Sequence, residues 1–410
     1  MPNSLVIPAK AFAKAFTKAR IQRPRDGAPT GFRSKSGMTR HDPQIDFPRA
    51  TGLYFECELL PAHGGIRLKV LGIDPGTVSF DLCLLDGRQI VFEDNNPSTV
   101  VAEHPEQLAE KCVNLKPDAI MAPSGYGLPI RKLSEVTARE MAEVTVVRKG
   151  EHVPVLDGMH QWFDMMGTTG IEVYFLPGVI QLPTVPRWRK FNKIDMGTTD
   201  KMCIAALSVE LMAKGGRYSK VNHVVVEMGG GYNCVMAVAG GQIVNGIGGT
   251  NFPGPGFMNS GAMDGEVAYV LRGFDKALLF EGGASHLAGG ATIDGFTAEN
   301  HPDAFNAFVE GILFAVCSQR TVVDTREVLL SGRLTRSDHI FRPVKDRLEK
   351  LGYRVRPMPV MSSKSKAAAQ GYAVVGNGIL GGEFQSLVKH MQIDQAAGSI
   401  MDNIYWKMAR

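Results

Sequence analysis

An apolar run, an acid, a glycine turn and a second apolar run occur twice in this 410-residue chain, far apart. The first copy includes Val70-Leu71-Gly72-Ile73-Asp74-Pro75-Gly76-Thr77-Val78-Ser79-Phe80-Asp81-Leu82-Cys83. The second includes Val224-Val225-Val226-Glu227-Met228-Gly229-Gly230-Gly231-Tyr232-Asn233-Cys234-Val235. Glycine between two apolar runs lets the backbone enter positive φ and close a tight β-hairpin. Each copy therefore predicts a hairpin with a carboxylate at its tip, Asp74 in one and Glu227 in the other. Strand patterns alternate with helix patterns around both copies, which predicts an α/β fold.

The turns suit an anion. Backbone N–H groups that point out of a glycine turn make a nest for phosphate oxygens. Gly76, Gly229, Gly230 and Gly231 supply such positions, and Thr77 and Ser79 add hydroxyl donors. Asp74 and Glu227 cannot face phosphate directly, because like charges repel. Each can instead hold Mg²⁺ or its waters, which bridge to phosphate oxygens. One such hairpin is equally an ordinary element of a β-rich domain. A pair, one in each half, points to a nucleotide held with its metal between two lobes.

Bulk properties narrow the classes. A chain of this length exceeds one ordinary core and predicts two or three domains. The apolar fraction of 44% and charged fraction of 21% are those of a soluble globular protein. The net charge of +4 is small, and the basic part is the start of the chain, which argues against nucleic acid as the main ligand. Cys57, Cys83, Cys112, Cys203, Cys234 and Cys317 are scattered without a C-x-x-C pair. That spacing predicts reduced, mostly buried thiols of a cytoplasmic protein rather than a disulfide or zinc framework. No apolar run reaches the roughly 18 residues of a membrane-spanning helix. Residues 1–66 read as a disordered basic tail or as sequence ahead of the true start.

Further along, residues 99–116 predict a helix, and residues 118–123 a short strand. The following loop, residues 124–129, lies at a strand's C-terminal end, where α/β proteins bind ligands. Residues 171–179 predict another strand. A basic stretch containing Arg187 and Arg189 then leads through Asp195 to Gly197-Thr198-Thr199-Asp200-Lys201 and an apolar-periodic helix over residues 202–214. Thr198 or Thr199 can cap that helix, and Asp200 complements its dipole. The same helix start can instead face a cleft, with Asp195 or Asp200 as base or metal ligand and Arg187 meeting an anionic group. The residues leave open which acid acts.

After the second hairpin, residues 245–266 make a glycine-rich loop too long for a turn. It reads as a substrate-side loop with Asn259, Ser260 and Asp264 as its polar candidates. Residues 327–334 predict a strand closed by a Ser331-Gly332 turn. Residues 362–379 predict a helix whose small residues let it lie close against another backbone. The histidines are isolated and show no metal spacing.

In this order the motifs resemble the superfamily of acetate and sugar kinases, heat-shock ATPases and actin. Its phosphate-1 hairpin, first connecting helix, phosphate-2 hairpin, adenosine turn and second connecting helix match Ile73-Asp74-Pro75-Gly76-Thr77, Gly197-Thr198-Thr199-Asp200-Lys201, Glu227-Met228-Gly229-Gly230-Gly231, Leu330-Ser331-Gly332 and Lys366-Ala367-Ala368-Ala369-Gln370-Gly371. The resemblance covers about residues 68–385. Within it, Met228-Gly229-Gly230-Gly231, Gly254-Pro255-Gly256 and Ser260-Gly261 are similar to butyrate kinase and to an archaeal family described as predicted butyrate kinases.

The resemblance implies two ribonuclease-H-like (actin-like ATPase) lobes, residues 67–195 and 196–385, with a nucleotide cleft between them and a C-terminal extension at 386–410. It implies ATP and Mg²⁺ as cofactors. Asp74, Gly76, Thr77, Ser79, Gly229, Gly230, Gly231, Ser331 and Gly332 would surround the nucleotide, with Asp74 and Glu227 on the metal. Phosphoryl transfer to a short-chain carboxylate would follow. Asn259 stands where acetate kinases carry arginine, Asp74 stands where they carry asparagine, and their paired histidines have no counterpart. A sugar or other hydroxyl acceptor therefore stays open, with Asp195 or Asp200 as base, as does a nucleotide switch without transfer. A small-molecule substrate and a homodimer, with no nucleic acid and no membrane, complete the expectation.

Overall fold

The computed structural model describes residues 55–56, 65–76, 78–148, 150–213 and 216–406. The expected basic tail falls almost wholly outside these residues, as do Cys57 and Thr77. Among the described residues no helix is long and apolar enough to cross a membrane.

After a short strand β1 (Phe55–Glu56), the first hairpin is β2 (Lys69–Pro75) and β3 (Ser79–Asp86), followed by β4 (Gln89–Pro97), β5 (Ala119–Met121), β6 (Arg131–Lys132) and β7 (Glu172–Phe175). They form one sheet in the order β4-β3-β2-β5-β7-β6. The second hairpin is β8 (His223–Met228) and β9 (Asn233–Ala239), followed by β10 (Gln242–Ile247), β11 (Glu327–Ser331) and β12 (Arg354–Pro357), with order β10-β9-β8-β11-β12. In both sheets an antiparallel three-strand meander is extended by two parallel strands on the side of its first strand, and in the first sheet β6 adds antiparallel to β7 at the edge. A two-stranded pair joins β1 to β13 (Pro359–Val360).

Strand side chains alternate between the two faces of a sheet, so each sheet feeds two cores. Leu71, Ile73, Leu82 and Leu84 face α1 (Ser98–Glu103), α2 (Pro105–Asn114) and α4 (Pro154–Met166), burying Val101, Leu108 and Trp162. The short α3 (Ala138–Thr145) precedes α4, and α5 (Arg187–Lys190) precedes α6 (Thr199–Met212). Val224, Val226, Val235 and Leu330 of the second sheet face α9 (Pro302–Gln319) and α10 (Asp338–Lys350), burying Phe305, Phe308 and Ile340. The short α7 (Gly265–Leu271) and α8 (Ala284–Leu287) precede α9. The opposite faces of both sheets, through Val70, Cys83, Val225 and Met236, share one core with α6 and α11 (Ala367–Ile379). Last comes α12 (Gln385–His390). The central layer is thus two helices common to both sheets.

Local differences from the sequence expectations have simple causes. The helix expected over 99–116 is broken at His104, because Pro105 has no N–H to continue α1 and instead starts α2. β5 and β7 are shorter than expected. The helix expected over 362–379 starts only at Ala367. Thr198 stands at the start of α6 but makes no side-chain cap; its hydroxyl donates instead to Asp200. Of the described cysteines all are free, and all but Cys317 are buried.

Candidate functional site

β2 and β8 hold the same place in their sheets, and each carries its acid next to last, Asp74 and Glu227. Across the β2–β3 ladder Asp74 lies directly opposite Asp81. Like charges so placed repel. Lys366, the residue before α11, resolves the conflict. Its Nζ lies 3.1 Å from Asp74 Oδ2 and 3.0 Å from Asp81 Oδ1, and it donates to the Ser79 carbonyl at 2.7 Å. Its backbone N–H donates to Asp81 Oδ2 at 3.0 Å. The Ser79 hydroxyl and the Asn95 amide also donate to Asp81, at 2.9 and 2.7 Å. Gly76 leaves the room this needs, since a Cβ there would stand 2.4 Å from Lys366 Nζ and 2.7 Å from the Ser79 carbonyl.

The second half of the cluster rests on Lys201, in the first turn of α6. Its ammonium pairs with Asp200 and lies 3.1 Å from Glu227 Oε2, and the Thr198 hydroxyl donates to Asp200 Oδ1 at 2.5 Å. Glu227 Oε2 is buried and accepts no hydrogen bond of good geometry. Four carboxylates (Asp74, Asp81, Asp200, Glu227) against two ammonium groups leave a formal charge of two negatives.

That surplus shows in the acidities. Burial pushes Glu227 up to about 7, with Asp200 and Asp74 adding to the rise and Lys201 opposing it. Burial also raises Asp74, against the pull of Lys366. Asp200 is only partly buried, and Lys201 and the Thr198 hydroxyl hold it below the ordinary carboxylate value. Burial works against both lysines, but the acids around them hold Lys201 well above its ordinary value and raise Lys366.

The glycine turns differ from the expected nest at two points. The Gly76 amide donates to the Ser79 carbonyl at 3.0 Å, and the Gly229 amide to the Tyr232 carbonyl at 2.9 Å. Both close their own turns. The Gly231 carbonyl accepts from the amides of Met258 and Asn259, each at 3.1 Å, tying the long loop to the hairpin. Ser331 registers with Glu227 across β8–β11. Gly332, at φ +97°, lies so close that a Cβ would meet the Met228 carbonyl at 2.3 Å. The expected adenosine turn therefore abuts the second hairpin.

The two acids left open by the sequence occupy different surroundings. Asp200 belongs to the charged cluster. Asp195 is buried and accepts the Gly197 amide at 2.9 Å and the Thr250 amide at 3.4 Å. Gly248 packs on it, since a Cβ there would fall 1.7 Å from Asp195 Oδ1. Burial raises Asp195, and its charge reaches Tyr126, Tyr232 and Lys276. Lys276 donates to the Tyr126 hydroxyl at 3.2 Å and lies 4.9 Å from the centre of that ring. Tyr126 comes from the 124–129 loop.

Other expected residues are placed elsewhere. Arg187 is exposed and bonds the Tyr405 hydroxyl, beside Phe191, so it stands apart from the acids. Arg189 donates to the Val244 carbonyl. Asn259 is fully buried and spends its amide on the loop itself, donating to the Leu279 carbonyl and accepting from the Gly261 amide at 2.8 Å. Ser260 donates to the Gly261 carbonyl at 3.4 Å. Asp264 is exposed and caps α7 through the Glu266 amide at 2.7 Å.

Sequence reasoning missed Lys201, Lys366, Asp81 and Lys276. A signal for the first two exists. Both lysines stand at helix N-termini, where a cation opposes the macrodipole. Such placements ask for a compensating charge.

Among the described residues no group of three or more His, Cys, Asp and Glu side chains forms a ready metal site. Mg²⁺, however, is commonly held by one or two carboxylates together with phosphate oxygens and water. The negative surplus, and a buried Glu227 oxygen met only by Lys201, fit a divalent cation on Asp74 and Glu227.

A family model described as "Protein of unknown function (DUF1464)" matches residues 72–406. No curated protein matches the sequence. Among solved structures, a propionate kinase from Francisella tularensis subsp. tularensis SCHU S4 superposes with a TM-score of 0.54 at 13% identity, over 74% of this chain and 98% of that one. The likeness is one of fold. An acetate kinase from Entamoeba histolytica matches with a TM-score of 0.49 at 11% identity, over 69% of this chain and 87% of that one. A ROK family glucokinase from Streptomyces griseus, in complex with glucose and AMPPNP, matches with a TM-score of 0.39 at 12% identity, over 74% of this chain and 98% of that one.

Proposed function

We propose, for a chain that belongs to the family described as protein of unknown function (DUF1464), that it is an ATP-dependent small-molecule kinase with its nucleotide between two ribonuclease-H-like lobes. One observation carries the reading. The acids at the ends of equivalent strands in two sheets that share the order of five strands, Asp74 and Glu227, meet Asp200 and two lysines in one charged cluster. The fold shared with a propionate kinase supports it.

Mg²⁺, when bound, supplies charge neutralisation and a bridge to phosphate oxygens. Asp74 and Glu227 are the residues to hold it. Ser331 and Gly332 lie beside Glu227 at the nucleotide side of the second sheet. Phosphoryl transfer needs positioning and electrostatic stabilisation more than covalent help. A carboxylate acceptor arrives already ionised at neutral pH and needs no base. A hydroxyl acceptor is the second reading, favoured by Asp195. Its carboxyl lies outside the ion pairs of the charged cluster, burial raises it toward the range useful to a general base, and its charge reaches Tyr126 and Lys276.

The test is ATP turnover by purified protein with Mg²⁺ across short carboxylates, sugars and polyols, beside a no-acceptor control and Asp74→Ala. Acceptor-dependent ADP release that disappears in the variant supports the kinase and names the acceptor class. Slow turnover indifferent to every acceptor supports a nucleotide switch instead, and absence of nucleotide binding overturns the reading.

A further inference from the structure

The geometry points to Lys366 and Lys201 as side chains that bind the nucleotide's phosphates. The inference rests on the kinase reading and adds two contacts to it. Within the cluster both lysine side chains are more exposed than Asp74, Asp81 and Glu227, while Asp200, at 18%, shares the rim with Lys201. Side-chain exposure is 23% for Lys366 and 14% for Lys201, against 1% for Asp81, 5% for Asp74 and 8% for Glu227. An incoming anion reaches the lysines before it reaches those three acids.

The glycine turns leave that role to side chains at two of their positions, because the Gly76 and Gly229 amides are committed within their own hairpins. The candidate arginines are committed as well, Arg187 to Tyr405 and Arg189 to the Val244 carbonyl. Lys366 immediately precedes α11, and Lys201 is the third residue of α6. A lysine there acts against the helix dipole, but an anion held by that lysine gains from both the ammonium and the helix end.

Donor capacity agrees. An ammonium group carries three N–H donors. Among the described residues, Lys201 Nζ meets only the carboxylates of Asp200 and Glu227. Lys366 Nζ divides its donors among Asp74, Asp81 and the Ser79 carbonyl. Once Asp74 and Glu227 serve a divalent cation, Lys366 keeps Asp81, Lys201 keeps Asp200, and each has a donor for a phosphate oxygen.

The experiment is calorimetric titration of wild type with adenosine, ADP and ATP, each with Mg²⁺, repeated on two variants. Removing Lys366 alone strands two carboxylates, so the first variant is the charge-balanced Lys366→Met with Asp81→Asn. The second is Lys201→Met, with thermal melting to report on its fold. The expected result is preference for ATP over adenosine in wild type, and a loss of about tenfold or more in ATP affinity in each variant that still melts cooperatively. Adenosine affinity should stay within about twofold, and Lys366→Arg should keep most of the preference.

Unchanged ATP affinity in both variants overturns the inference, leaving the lysines as counter-ions only. Equal loss for ATP and adenosine also overturns it, since a merely structural residue acts so. Wild type that binds adenosine without preferring ATP overturns it while sparing a nucleoside site. Wild type that binds none of the three overturns the kinase reading beneath it.

Discussion

Asp74 and Asp81 are a repulsive pair by local rules, and Lys366 makes them tolerable from 292 positions away. Removing one partner of a buried ion pair leaves an uncompensated charge, which typically costs about 3–5 kcal/mol. Lys366→Met alone should lose stability toward the lower end of that range, because its ammonium is partly solvated; the urea midpoint measures it. Glu227 makes a pH prediction. Its acidity is raised from 4.5 to about 7, so between those values the folded protein keeps a proton that the unfolded chain releases. Its contribution is complete below pH 4.5, declines as pH rises, and levels off above about 7, a loss of about 3 kcal/mol. Urea denaturation at pH 5 and pH 8 should show this decline in wild type and a much smaller one in Glu227→Gln. A decline of equal size in the variant would assign the effect to other groups. Gly248→Ala would drive a methyl group into Asp195 Oδ1; a stability loss of about 1–3 kcal/mol on thermal melting is expected.

At the scale of elements, α6 and α11 decide the arrangement. α6 is buried on nearly every side from Met202 to Val209, and α11 from Ala368 to Gly378. Neither is an ordinary amphipathic helix, because each faces both sheets and the other helix. The small residues of α11 were readable as a close-packing surface, and the contacts confirm it. A Cβ on Gly371 would meet the Cys203 carbonyl at 2.3 Å, and one on Gly72 would meet the Ala369 carbonyl at 2.3 Å. These contacts are with backbone, which cannot rotate aside. Gly371→Val should therefore separate α11 from α6, costing about 3 kcal/mol or more and moving Lys366 off Asp74. Cooperative unfolding at the wild-type urea midpoint would contradict this.

For the whole molecule, two sheets that share the order of five strands sandwich a shared helical layer, and the charged cluster forms where the ends of that layer meet both hairpins. A ligand that joins both sheets at this place ties the folded state together. On the kinase reading, Mg²⁺-ATP at a hundred times its dissociation constant should stabilise the fold by about 2.7 kcal/mol, and Asp74→Ala should abolish most of that gain. Thermal melting with and without nucleotide measures it. Equal gains in both proteins would remove Asp74 from the site.

The repeated hairpins, their acids, the alternation of strand and helix and the close-packing helix were legible in the sequence. Each is written in local chemistry: glycine at a turn, apolar periodicity, and small residues in a row. Local chemistry left the surroundings of single charged side chains open. Asp264 had the composition of a binding residue and became a helix cap, while Arg187 had a useful charge and landed beside Tyr405. Which charges neutralise one another was decided only by the tertiary structure. Lys366 with Asp74 and Lys201 with Glu227 are joined because two sheets and two central helices pack through buried apolar faces. Apolar burial is not directional, and it sets which distant backbones become neighbours. The low dielectric it creates then makes each buried charge take the nearest opposite charge.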